Sequence, residues 1–178
     1  MRAVILLVLL IGCEFALCSC GDSATSSSRT SSAPGGVASA ADAQYAGAFQ
    51  QKYVKVVSTL NAVSAACDHT LTTATLPACG TRVAAFQTAM GNLGTYIQQR
   101  TPPANAATQV RTTAQALASM QATFGTLAQR IDNGNAKAVN AMAGSGKPLT
   151  DSIVSFFDAA IPSLDAVLPG QPFPPPAG

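Results

Sequence analysis

Residues 110–131 read VRTTAQALASMQATFGTLAQRI, and this stretch decides the fold class. Val110, Leu117, Met120, Phe124, Leu127 and Ile131 recur in steps of three, four and seven, which sets them along one face of a helix. They match the a and d positions of a heptad, with Thr113 at the one weak position. Upstream, Val83, Phe86, Met90, Leu93 and Ile97 repeat the spacing and predict a helix ending before Thr101-Pro102-Pro103. There Thr101 can cap, and Pro102 can take the first position of the next helix. Further upstream, Tyr45, Phe49, Tyr53, Val56, Val57, Leu60, Val63 and Cys67 mark a first helix. The Thr-rich stretch Asp68 to Ala78, with Pro77, reads as a connection between antiparallel helices.

Downstream, Asp132-Asn133-Gly134 closes the helix, Gly134 being suited to a left-handed turn. Asn135 to Ala143 suggests a short helix broken by Gly144-Ser145-Gly146. Leu149, Ile153, Phe156, Phe157, Ala160, Leu164 and Leu168 then predict a last long helix, kinked upstream of Pro162. Four long amphipathic helices with short connections predict an all-α domain over residues 41–169. The expected form is an antiparallel up-down four-helix bundle with a short extra helix between helices three and four.

The chain has 178 residues, 48% of them hydrophobic but only 10% charged, against roughly 25% charged in an average soluble domain. Its surface must therefore be covered mainly by Thr, Ser, Gln, Asn and Ala. Net charge is +2, and Lys52, Lys55, Arg82, Arg100, Arg111 and Arg130 are scattered, which leaves no footprint for nucleic acid. Glutamate occurs once, at Glu14. Helices so poor in ion pairs must rely on packing.

The N-terminus carries an address. Met1-Arg2 precedes an apolar run from Ala3 to Gly12, the length of a signal-peptide core rather than of a membrane span. Leu17-Cys18-Ser19-Cys20 follows and resembles the lipobox of bacterial lipoproteins, in which the cysteine is acylated and becomes the first mature residue. Leu10-Ile11-Gly12-Cys13 is an alternative lipobox, so lipidation falls on Cys20 or, alternatively, Cys13. Cys20 is preferred because Gly21-Asp22-Ser23 begins an ordinary tether, whereas Glu14-Phe15 does not. Residues 1–19 then form the lipoprotein signal peptide, and residues 20–40 the lipidated cysteine and a flexible Ser-rich tether. Residues 170–178 read as a disordered Pro-rich tail.

With this lipobox, an Ala/Thr/Pro bias and few lysine-glutamate pairs, the chain resembles the small alanine-rich lipoproteins of high-GC bacteria, mycobacterial in style. The resemblance implies an anchor on the outer face of the cytoplasmic membrane and no particular chemistry.

Of five cysteines, Cys13 and Cys18 leave with the signal and Cys20 takes the lipid, which leaves Cys67 and Cys79 as an expected disulfide. The rival reading makes Cys67, Asp68, His69 and Cys79 ligands of zinc or copper. His69 is the single histidine, and no serine sits in a Gly-x-Ser-x-Gly elbow, so a Ser-His-Asp hydrolase is not expected. Asp151, Asp158 and Asp165 recur every seven residues, as a solvated helix face does. Gly144-Ser145-Gly146-Lys147 lacks the first glycine and the Ser or Thr of a phosphate loop. The sequence therefore points to a non-enzymatic interaction or accessory module without a cofactor. Its expected partners are the membrane, through the anchor, and another envelope protein or the cell wall. The alternatives are a carrier of an apolar ligand such as a lipid within the bundle, and a metal-binding protein. Gly91, Gly94 and Gly125, inside helices two and three, suggest close helix approach or a groove.

Overall fold

Ser39 begins the first helix through a capping box. The Asp42 N–H donates to Ser39 Oγ (3.1 Å), and the Ser39 N–H donates to Asp42 Oδ2 (3.1 Å). In the computed structural model, which describes residues 39–169, this opens α1 (Ala40–Cys67). The helix starts well before the first apolar marker, Tyr45, because the cap and the alanines after it suffice to launch it. The expected signal peptide, Cys13, Cys20, most of the expected tether and the expected tail from residue 170 lie outside the described residues.

α2 spans Leu76–Gln99 and begins earlier than the Thr-rich connection suggests. Pro77 lies in its first turn, where a missing N–H is harmless, so Cys79 is on a helix rather than in a loop. The junction after α2 also differs from expectation. Thr101 and Pro102 stay outside any helix because each precedes a proline, which disfavours helical geometry. Helical turns resume only at a 3-10 turn, Ala104–Ala106, followed by α3 (Ala107–Asp132).

Gly134 takes φ 67° after α3, as its place in the sequence suggests. Asn135 then caps α4 (Ala136–Ser145) by accepting from the Ala138 N–H at 2.9 Å. The helix runs through Gly144, and only Gly146, at φ 63°, turns the chain into α5 (Lys147–Val167). α5 continues through Pro162 to Val167. The described residues are all-helical, with no strand.

Each long helix contributes one phenylalanine to the centre: Phe49, Phe86, Phe124 and Phe156, all essentially buried. Phe86 meets Phe124 edge-on, with ring centroids 4.7 Å apart. The helix ends meet in pairs. The start of α1 meets the end of α2 where Tyr45 packs on Tyr96 (5.2 Å), and the end of α1 meets the start of α2 at Cys67 and Cys79. Among these glycines the tightest approach is at Gly80 rather than at Gly91, Gly94 or Gly125. A Cβ on Gly80 would lie 2.8 Å from Ile131 Cγ2, whereas around Gly91 there is open space.

The weak heptad position has its own account. Thr113 is fully buried in α3, and its hydroxyl donates to the Ala159 carbonyl at 2.8 Å while lying 2.7 Å from Ser163 Oγ. The Ser163 hydroxyl also donates to Ala159 (3.2 Å), so both buried hydroxyls are satisfied where α3 crosses α5. Asn105 adds a second tie near that end, its amide donating to the Ala166 carbonyl at 2.8 Å.

Candidate functional site

The sequence gathers its candidate residues at the α1–α2 corner. Cys67 ends α1 and Cys79 sits in the opening turns of α2, with Cα atoms 5.2 Å apart and the sulfurs paired at disulfide distance. Both cysteines are buried, at 4% and 0% exposure, inside the core rather than on the surface. Asp68 and His69 follow α1 directly and are exposed. The metal reading of Cys67, Asp68, His69 and Cys79 therefore loses its thiolates, which are bonded to each other. Among the described residues, no three His, Cys, Asp or Glu side chains gather where a metal ion could be held.

A residue that the sequence did not single out closes the corner. Leu71 folds back into the core, and both of its backbone groups pair with one side chain of α4. The Leu71 N–H donates to Asn140 Oδ1 (2.9 Å), and Asn140 Nδ2 donates to the Leu71 carbonyl (2.8 Å). The amide thus does for one loop residue what a neighbouring strand does in a sheet. Thr72 and Thr75 complete the turn, the Thr72 N–H donating to Thr75 Oγ1 at 2.9 Å. A signal for Asn140 did exist, since asparagine is a poor choice inside an alanine-rich helix unless its side chain has a partner. The corner is thus a stapled and latched turn in which His69 stands outside, touching none of these groups at hydrogen-bonding distance.

The other candidates are spread apart. Asp151, Asp158 and Asp165 are exposed on α5, and Asp151 pairs with Lys147 at 3.1 Å across one exposed turn. Asp42 is engaged in the α1 cap. Ser145 and Gly146 form a helix-helix joint rather than a phosphate-binding loop. Tyr45 and Tyr96 pack together where α1 starts and α2 ends, and Tyr53, in the middle of α1, packs on Phe156 and Phe157. Burial pushes the Tyr45 phenol up to about 12, with Tyr96 adding to the rise, and pushes Tyr53 up to about 12. Tyr96 is also raised by burial, against the opposing pull of Arg100. The Tyr96 hydroxyl donates to the Tyr45 carbonyl (3.0 Å), and Lys52 lies 5.6 Å from the Tyr96 ring centre.

An apolar ligand would enter this interior only by displacing Phe49, Phe86, Met90, Met120, Phe124 and Phe156, which fill it. Two open depressions mark the surface. One lies between α2 and the end of α3, lined by Leu76, Pro77, Gly80, Thr81 and Ile131, and another lies over Thr126, Arg130, Met142 and Pro148. Among the described residues, no helix is long and apolar enough to cross a membrane. No protein-family profile, no curated protein and no solved structure matches this chain.

Proposed function

We propose that this chain is a lipid-anchored protein of the bacterial cell envelope, and that its helical domain is a non-enzymatic interaction or accessory module on the outer face of the cytoplasmic membrane. The observation that carries the location is the buried Cys67–Cys79 pair, because disulfides persist in oxidising compartments and are rare in the cytosol. It agrees with the apolar leader and the lipobox-like Leu17-Cys18-Ser19-Cys20. In the arrangement we propose, α1, α2, α3 and α5 form an up-down-up-down bundle, with α4 as the short extra helix. The head-to-tail pairings Tyr45–Tyr96, Cys67–Cys79, Gly80–Ile131 and Thr113–Ser163 support it.

An interaction module spreads its sensitivity over a surface, whereas an enzyme concentrates it in a few polar groups. The test is complementation of a deletion strain at matched protein level. His69→Ala is expected to complement, because His69 is exposed and bonded to nothing in the corner. Failure of that variant, with normal helicity and melting, would overturn the non-enzymatic reading. For the anchor, radiolabelled palmitate is expected in the wild-type chain and absent from Cys20→Ala. Loss in Cys13→Ala instead would move the anchor to Cys13.

A further inference from the structure

The apolar residues of α5 reach beyond its core-facing stripe. Leu149, Phe156, Ala160, Leu164 and Val167 are buried, whereas Val154, Phe157, Ile161 and Leu168 are half-buried. At 100° per residue these four fall on one strip. That strip borders α1, because Tyr53 stacks on Phe156 (6.1 Å) and meets Phe157 edge-on (6.3 Å). From α1, the same helical geometry brings Gly47, Gln50, Val54 and Val57 to the seam. Gly47 leaves open space where a Cβ would be, and Val54, 37% exposed, is the one large hydrophobic side chain left exposed among the described residues. α1 and α5 touch each other more sparsely than α1 and α2, α2 and α3, or α3 and α5 do.

The two edges of this seam differ in charge. Asp151, Asp158 and Asp165 run along α5 beside the apolar strip, and Asp158 and Asp165 have no salt-bridge partner among the described residues. The α1 edge offers Ala43, Gly47, Gln50, Val54 and Asn61, with no charge, while Lys52 is drawn toward Tyr96 on the α2 side. Carboxylates bordering an apolar strip favour a basic partner and repel an anionic one. An anionic bilayer is thereby disfavoured. So is a second copy set seam to seam, because its own Asp158 and Asp165 would enter the same interface as like charges.

We propose that the α1/α5 seam docks an amphipathic helix of a partner protein, its apolar face on Val54, Phe157 and Ile161 and its Lys/Arg flank against Asp158 and Asp165. The spacing of Val154, Phe157, Ile161 and Leu168 suits a helix that reads the seam through i, i+3/i+4 and i+7 anchors. This names the partner class for the interaction module proposed above and rests on that reading.

The experiment uses the full chain in its native cells, with the photo-cross-linker p-benzoylphenylalanine replacing Val54 or Ile161 at the seam, and Arg82 or Thr126 on the far helices. Expected are adducts at positions 54 and 161 whose cross-linked peptide maps to a Lys/Arg-flanked amphipathic helix of another protein. Asp158→Asn combined with Asp165→Asn, both exposed and neutral to folding, is expected to lower their yield about fivefold. Adducts to lipid, to a second copy or to an acidic segment would overturn the proposal, as would an unchanged yield in the double variant. Adducts at positions 82 and 126 alone would sink the seam and leave the interaction reading standing; adducts at none of the four would sink both.

Discussion

Asn140→Ala tests whether the α1–α2 corner is held by α4. The side chain makes two hydrogen bonds, at 2.9 and 2.8 Å, to the N–H and C=O of a residue 69 positions away. A net hydrogen bond contributes about 1 kcal/mol, and an orphaned buried partner costs about 1–3 kcal/mol. Both bonds are only partly buried, so the leftover Leu71 groups reach water at moderate cost and the total falls at about 2–3 kcal/mol. For a domain of this size that lowers Tm by about 6–12 °C. Asn140→Asp separates the two bonds. It keeps an acceptor for the Leu71 N–H but sets a carboxylate against the Leu71 carbonyl. The folded state therefore favours its protonated form, which can donate, and raises that carboxyl's pKa. Stability of Asn140→Asp is then highest in acid and is lost as the pH rises. Urea unfolding followed by circular dichroism gives the free energies, and hydrogen exchange at the Leu71 amide reports the bond itself. A loss below about 0.5 kcal/mol in Asn140→Ala, with Leu71 exchange unchanged, would refute the latch.

Four further outcomes follow from the same packing. Phe124→Ala removes the ring that meets Phe86 at 4.7 Å and is expected to cost about 3–5 kcal/mol in urea unfolding; a cost under about 1.5 kcal/mol would mean a loosely packed centre. Gly91→Ala, with open space around it, is expected to gain up to about 1 kcal/mol in helix propensity, whereas Gly80→Ala should lower Tm because its Cβ meets Ile131; the opposite order would contradict the helix approach. Spectrophotometric titration should show Tyr45 and Tyr53 ionising at about 12. Because the unfolded phenols ionise near 10.0, stability is intact below pH 10 and falls as the pH rises toward 12; normal ionisation of all three tyrosines would show that they are solvated. Replacing Cys67 and Cys79 together by serine is expected to cost about 3 kcal/mol by a chain-entropy argument, and non-reducing mass mapping should join the two in the wild-type protein; free thiols at both positions would revive the metal reading.

Much of the helical architecture was legible in the residues. The stripes through Phe49, Phe86, Phe124 and Phe156 are local periodicities, and a period of 3.6 residues fixes which side of each helix is apolar before any helix meets another. The pairing of Cys67 with Cys79 likewise agrees with what the cysteine count leads one to expect. Boundaries were less legible, because capping and proline chemistry act over three or four residues and can override the periodic signal. Ser39 thus starts α1 ahead of its first aromatic residue, and Pro102-Pro103 delays α3.

What only the tertiary structure decided is how residues distant along the chain are used. Asn140 is one polar residue in an alanine-rich segment until α4 is laid against Leu71, and Thr113 is a defect in a heptad until α5 supplies Ser163 and the Ala159 carbonyl. Phe156 and Phe157 are adjacent and equally apolar, yet one is buried and the other half-exposed, because α1 lies closely against only part of the α5 surface. Periodicity reports a preference for burial on a single helix. Which apolar residues are covered, and which remain for a partner, depends on the angle and spacing at which helices pack, and those arise from all the contacts at once.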